Sequence, residues 1–314
     1  MSILVIKPGV PSPSQSRPRT GMPHLRGPSG GAADPQSLAL ANRLVGNAWA
    51  TPAIEAALVG PIVRFERPTA FAAAGGDVSL LLNGVAVSDH ETVFAKAGDE
   101  LVVGPVGNGA RVYIAVPGGF PADDVLGSAA TNLQAGFGGF QGRALQAGDR
   151  LAVDGGDVPP AATPAEFRPT MPHAWGLRAC VAGETALLDA DGFAALFETN
   201  WRVAQRADRM GLQLEGPRLT VSSDGRMPSA GVMPGTVQCP EDGAPYVLSV
   251  DAGTVGGYPR VAQVTRADRH ALGQLKAGDH VRLLHREHDD AVTELRAKLD
   301  YWGQWLPQIE DVLG

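Results

Sequence analysis

A chain of 314 residues, 44% of them apolar, has the length for two domains and enough hydrophobic material to bury a core in each. The 26 basic residues against 33 acidic ones give a formal charge of −7, which argues against a phosphate backbone as partner. No apolar run approaches the roughly 20 residues of a membrane helix, and the opening MSILVIKPG reads as a strand rather than a signal peptide, so the expected compartment is the cytosol.

The 40 glycines and 25 prolines punctuate short apolar runs, the pattern of a β-rich protein with many turns. In chain order, a helix is expected after Asp34, with Asp34 as N-cap, Pro35 in the first turn and Gly46 as stop. Strands are expected at Ile62–Phe65, Val78–Leu82, Glu100–Val103, Val112–Val116, Arg150–Val153, Leu177–Val181, Tyr246–Ser249 and His280–Leu284. A short helix is expected over Gly192–Thr199. A last one is expected over Asp289–Trp302, with Val292, Leu295, Leu299 and Trp302 on one stripe. Ala-Gly-Asp recurs at Ala97-Gly98-Asp99, Ala147-Gly148-Asp149 and Ala277-Gly278-Asp279, each time before a strand, and reads as a turn device. The Pro/Ala/Gly-rich stretch Asp154–Pro172 reads as an extended linker. Cys180 and Cys239 are too few for a disulfide scaffold, belong to no CxxC or Cys/His cluster, and read as buried thiols.

The chain shows no Ser/His/Asp order, GxSxG elbow, P-loop or HExxH. Four longer segments carry more. They are SQSRPRTGMPHLRGPSGGAAD (Ser14–Asp34), GFGGFQGRALQAGD (Gly136–Asp149), ADRMGLQLEGP (Ala207–Pro217), and Ser229–Asp268. The last contains Gly231, Pro234-Gly235, Gln238-Cys239-Pro240, Asp242-Gly243 and Thr254-Val255-Gly256-Gly257-Tyr258-Pro259. Together they resemble one family that goes by several names: the 5-oxoprolinase C-subunit, allophanate hydrolase subunit 2, the KipA-like proteins, and the biotin-dependent carboxyltransferase domain of urea carboxylase. The resemblance covers about residues 3 to 285.

That resemblance implies a mainly β protein of two cyclophilin-like β-barrel domains with a few short helices and a C-terminal helix. The expected organisation is a barrel over 1–155, a linker over 156–172, a second barrel over 173–285 and a helical extension over 286–314. It implies a component of an ATP-dependent 5-oxoprolinase or allophanate-hydrolase-like complex acting on a small amide or lactam. The partners would be a KipI-like subunit and a LamB/YcsF-like subunit. ATP, with Mg, would be shared with a partner, since the chain has no P-loop. The alternatives are a carboxyltransferase module using biotin on a separate carrier, and a non-catalytic KipA-like partner of a KipI-like regulator.

Individual residues follow. Arg209 has the fork to hold a carboxylate and Asp208 stands beside it to orient it or move a proton; the other reading is an inter-strand salt bridge. Gly256 and Gly257 either admit a ligand to the backbone, with Thr254 and Tyr258 at its margin, or form a tight turn. Gln238 is placed to donate to a substrate carbonyl, or to end a strand. Gln15, Arg19 and His24 fall where the family's N-terminal signature wants them, in a loop before a helix of the kind that carries site residues; His24 is a catalytic candidate, and its other reading is a hydrogen-bonded structural residue. The chain departs from that signature at Ser16, Pro18 and Arg26, and elsewhere at Ala129 and Gly253. A proline at 18 fixes φ and removes a donor, so that loop does not keep a glycine-dependent geometry.

Overall fold

The structure is a computed structural model that describes residues 2–21, 27–222 and 227–314. His24 and Arg26 lie outside the described residues. The protein is mainly β and divides into two compact units. The first comprises Met1–Arg19, Gly30–Met171 and Trp302–Val312; the second comprises Thr20–Ser29, Pro172–Tyr301 and Leu313–Gly314.

In the first unit, two antiparallel sheets hold one core. One sheet runs through Arg150–Ala152, Ser2–Lys7, Ile62–Phe65, Glu100–Val106, Val78–Leu82 and Val85–Val87. The other runs through Ser14–Gln15, Ala53–Ala57, Arg111–Ala115, Thr69–Gly75 and Val93–Ala95. Ser2–Lys7 alternates, burying Ile3 and Val5 and turning Lys7 outward, as a sheet with one wet face requires. Phe65 and Phe71, one from each sheet, stack with ring centroids 5.4 Å apart.

Thr69–Gly75 and Arg111–Ala115 are buried throughout, because the helix Pro35–Leu44 covers their other face. The run Ala72–Ala74 leaves room for that close approach. Asp34 caps the helix, its Oδ1 accepting from Ser37 N at 3.1 Å.

All three Ala-Gly-Asp turns are built alike. Gly98, Gly148 and Gly278 have φ of 90°, 92° and 91°. The following aspartates accept from the backbone N–H three positions earlier: Lys96 at 2.7 Å, Gln146 at 2.7 Å and Lys276 at 3.0 Å. The Pro/Ala-rich stretch is extended and tied to the first unit. Thr92 N donates to Ala161 O at 2.9 Å, Thr163 N donates to His90 O at 2.9 Å, and Phe167 is buried against Trp302 and Trp305.

The second unit is a closed seven-stranded barrel. It runs through Ala174–Val181, Arg260–Val264, Thr236–Gln238, Tyr246–Leu248, Gly211–Glu215, Trp201–Ala207 and His280–His285. The parallel pairing of His280–His285 with Ala174–Val181 closes it. Leu177, Trp201, Val203, Leu214, Val237, Val247, Val261 and Leu283 fill the interior. The same alternation that sends Leu177 and Ala179 inward leaves Cys180 on the outer face, half-buried where the sequence reads as buried.

The helix Ala190–Glu198, capped by Asp189, packs on the His280–His285 strand. The last long helix, His288–Gly303, has no fully buried residue; Val292, Leu295, Leu299 and Trp302 are its half-buried stripe. Beyond it, Leu306, Ile309 and Val312 are buried, and the Trp305 ring lies 4.2 Å beneath the Arg43 guanidinium. Among the described residues no helix is long and apolar enough to cross a membrane.

Candidate functional site

The described residues of the four sequence segments that carry side-chain contacts form one cluster in each unit. In the first unit, Ser14–Arg19 meets the glycine-rich segment and the loop before it. Gln15 Nε2 donates to Thr131 O at 3.1 Å, and Thr131 Oγ1 donates to Ser14 O at 2.7 Å. Arg19 is buried among carbonyls: its Nε donates to Val125 O at 3.1 Å and its Nη2 to Ala130 O at 2.5 Å, with Ser128 O at 3.5 Å. The Phe137 ring lies 4.8 Å from the guanidinium. Arg19 therefore folds the loop around itself. Ser16, in the position of the family's Asp, donates its Oγ to Ala50 O at 2.5 Å.

Behind these lies a buried chain of polar groups. Tyr113 OH donates to Glu55 Oε2 at 2.7 Å and accepts from Asp34 N at 2.8 Å, while Ala33 N donates to the same Glu55 oxygen at 2.9 Å. Burial, reinforced by the charge of Glu55, holds the Tyr113 hydroxyl well above its ordinary range, so it stays a donor. In the glycine-rich segment, Arg143 forks onto both oxygens of Asp149 at 2.8 Å each.

In the second unit, Asp208 closes a turn between two barrel strands, its Oδ1 accepting from Met210 N at 2.7 Å and Gly211 N at 3.2 Å. That turn presents Arg209. Its Nε donates to Asp251 Oδ2 at 2.7 Å and its Nη2 to Asp251 Oδ1 at 2.9 Å, with both side chains nearly buried. Asp251 N in turn donates to Arg209 O at 2.8 Å.

Gln238 is buried at the end of its strand, and its Nε2 donates to Tyr258 O at 3.4 Å. A Cβ on Gly256 would stand 2.5 Å from that same Nε2, so the Gln238 amide would have to shift to admit it. Val255–Gly256 pairs with Ala230–Gly231 in a small separate sheet. Arg260 fixes that sheet: its Nη1 donates to Gly231 O at 3.1 Å while its Nε and Nη2 grip Glu184 at 2.7 and 2.6 Å. The buried Thr254 Oγ1 has no partner among the described residues.

A pocket of about 220 Å³ opens beside these groups, walled by Leu219, Val221, Met227, Cys239, Glu241, Gly257 and Tyr258, with Pro240 and Pro259. The Cys239 thiol is pushed up to about 11 by burial and by the charge of Asp242, which disfavours the thiolate there.

The structure thus brings Gln238, Gly256, Gly257 and Tyr258 together. Of these only Gly257 and Tyr258 line the pocket; among the described residues Asp208, Arg209, Gln238, Thr254 and Gly256 do not, and Gln15 and Arg19 belong to the first unit's cluster. Sequence reasoning missed Asp251, Glu184 and Arg260. Each is one half of an ion pair whose members lie 42 or 76 positions apart, and no local pattern marks them.

Residues 27–285 match the family model described as "Carboxyltransferase domain, subdomain A and B". The chain belongs to this family. It is 34% identical over 276 residues to the 5-oxoprolinase C-subunit of Escherichia coli (strain K12), covering 87% of this chain and 88% of that protein. The crystal structure of Kluyveromyces lactis urea carboxylase superposes with a TM-score of 0.90 at 29% identity, over 96% of this chain and 29% of that one. The crystal structure of TTHA0988 superposes with a TM-score of 0.81 at 33% identity, over 91% of this chain and 56% of that one. The chain therefore spans under a third of the urea carboxylase and somewhat more than half of TTHA0988.

Proposed function

We propose that this chain is the C-subunit-type component of an ATP-dependent 5-oxoprolinase complex, an amidohydrolase assembly acting on a small amide or lactam. The observation that carries the reading is its extent: the chain matches a 5-oxoprolinase C-subunit over nearly the whole of both proteins. The site chemistry agrees. The Gly257 backbone and the Tyr258 side chain line the pocket and supply the neutral polar groups that recognise an uncharged amide or lactam carbonyl, while Gln238 and Gly256, beside the pocket, hold the Tyr258 segment in place. Asp208 and Arg209 remain the candidate acid/base and anion-handling residues. The grip of Asp251 makes Arg209 a positioned donor with compensated charge rather than a bare cation. Gln15 and Arg19 contribute by shaping the first unit's loop, and His24 is a candidate through the N-terminal signature.

ATP does not fit the 220 Å³ pocket: among the described residues its wall carries Glu241 and no Lys or Arg to meet a triphosphate. In this proposal the nucleotide is held by, or shared with, the KipI-like and LamB/YcsF-like partners. The test is co-expression with those two subunits and measurement of ATP- and 5-oxoproline-dependent glutamate formation. An Arg209→Ala complex as active as wild type would take Arg209 out of the proposed machinery. No turnover from an intact three-component complex would sink the reading.

The TM-score of 0.90 to urea carboxylase favours one second reading, carboxyl transfer to a urea-type amide. Biotin's ureido ring has the neutral polarity of the Gly257 backbone and the Tyr258 side chain, and when bound it supplies the carboxyl group. A separate carrier would have to deliver it. Carboxylated product formed from carboxybiotin and urea, without glutamate formation from 5-oxoproline, would select this reading.

A further inference from the structure

We propose that the cavity between the last turn of the Pro35–Leu44 helix and the segment around Leu306 and Val312 is a binding site for a small carboxylate with an apolar body. The site is independent of the 5-oxoprolinase reading, and all its residues belong to the first unit. The cavity has a volume of about 300 Å³. Leu306, Val312 and Trp49 give it apolar surface, and Arg43, Asn47 and Gln308 are its polar residues. Apolar walls with a few placed polar groups are the composition of a small-molecule site.

Arg43 is the one charged residue among the described residues that line the cavity. Its guanidinium lies 4.2 Å from the centroid of the Trp305 ring, and Trp305 is itself stacked with Phe167 at 6.4 Å. Stacking holds a guanidinium by its face and leaves the N–H edge free to donate. Arg209 shows the satisfied arrangement, both arms of the fork on Asp251. Arg43 has the fork without a carboxylate: among the described residues it makes no ion pair, and no carboxylate lines the cavity. A planar fork beside an apolar cavity meets a carboxylate with two parallel hydrogen bonds, and the cavity then takes the rest of the molecule.

The walls are set before a ligand arrives. Gly46, with φ of 73°, turns the chain out of the helix. Asn42 Nδ2 donates to Trp49 O at 3.0 Å and Thr51 O at 2.8 Å, and Asn47 Nδ2 donates to Asn42 Oδ1 at 2.9 Å and Val116 O at 2.8 Å. Trp49 N donates to Gln308 Oε1 at 3.3 Å, which ties the loop to the opposite segment and leaves Gln308 Nε2 as a second donor for the ligand. A site formed in advance loses less freedom on binding. Leu306, Gln308 and Val312 lie beyond residues 27–285, so the match to the family does not assign this cavity.

The experiment titrates the isotope-labelled full chain with benzoate, with benzamide as its neutral counterpart and with inorganic phosphate, and follows the tryptophan indole N–H resonances. Benzoate is expected to bind saturably and to move the Trp49 and Trp305 signals. Benzamide is expected to bind at least about tenfold more weakly, and Arg43→Gln to weaken benzoate by at least about tenfold, the order of a lost charge-assisted pair. Ala48→Leu, which narrows the cavity from an exposed position, is expected to weaken benzoate similarly while Arg43 stays on Trp305. If Arg43→Gln loses its circular dichroism signature, Ala48→Leu decides instead. Absence of saturable benzoate shifts overturns the proposal, as does equal affinity for benzamide or undiminished affinity in the variants. Phosphate binding more tightly than benzoate also overturns it, since the site would then read a compact oxyanion and not a carboxylate on an apolar body.

Discussion

Arg209 and Asp251 are joined three times, twice through the guanidinium fork and once through the backbone, across 42 positions of sequence. The pair fastens the Asp208 turn to the segment that leads into Thr254–Tyr258. Removing one partner of a nearly buried pair leaves the other charge uncompensated. Asp251→Ala is expected to lower stability by about 2–3 kcal/mol in urea unfolding. Arg209→Lys keeps the charge but loses the fork, and is expected to cost about 1–2 kcal/mol. Equal stability of Asp251→Ala and wild type would mean the fork holds nothing in place.

Gly256 and Gln238 stand in close contact beside the pocket. Adding a methyl at 256 puts it 2.5 Å from the Gln238 amide, which has to swing away and release Tyr258 O. Gly256→Ala is expected to cut turnover, or ligand affinity, by at least about tenfold, the order of one lost well-placed hydrogen bond. Gln238→Ala is expected to do the same alone, and the double variant to be little worse than either single one, since both remove one interaction. A double-variant cycle in which the two losses simply add would refute the coupling.

Much of the fold was legible, and the reasons are local. Ile62–Phe65 and Val78–Leu82 are bounded by turn residues and fall where expected, and Asp34-Pro35 marks the helix start because capping is a four-residue affair. The Ala-Gly-Asp repeat is a turn because its hydrogen bond closes over three residues. Gln238 and Gly256 to Tyr258 came from motif resemblance, and the structure places them next to one another. Asp251, Glu184 and Arg260 were silent because an ion pair over 42 or 76 positions leaves no periodic trace. Arg19 reads as a ligand-facing arginine in sequence, and only the converging carbonyls of Val125, Ser128 and Ala130 show what it holds.

Arg143 and Asp149 give a pH dependence. The hydrogen bonds from Arg143 hold the Asp149 carboxyl below the usual carboxylate range. A depressed carboxyl contributes stability that is fully present above its unfolded value, near 3.9, and is lost as pH falls through the folded value below it. Arg143→Gln is therefore expected to be about 1 kcal/mol less stable than wild type at pH 7, with the gap closing as pH falls below the unfolded carboxyl value. Unfolding free energies measured across that range check it. A gap that stays constant down to acid would assign the loss to packing of the arginine stem instead.

Cys239 lines the pocket, which invites a nucleophilic reading, and its environment argues against one. Its exposure is 1%, and burial with the nearby Asp242 charge pushes its thiol up to about 11. At pH 8 the thiolate is then on the order of 0.1% of the population, against roughly a quarter for an ordinary thiol. Cys180 is also raised by burial, but it stands half-exposed on the outer face of the barrel. Iodoacetamide at pH 8, followed by peptide mass spectrometry, is expected to label Cys180 well before Cys239. Cys239→Ser is expected to keep turnover within about threefold, because Ser fills nearly the same volume and no step needs a thiolate. A loss beyond tenfold in a variant with unchanged Tm would return the thiol to the chemistry.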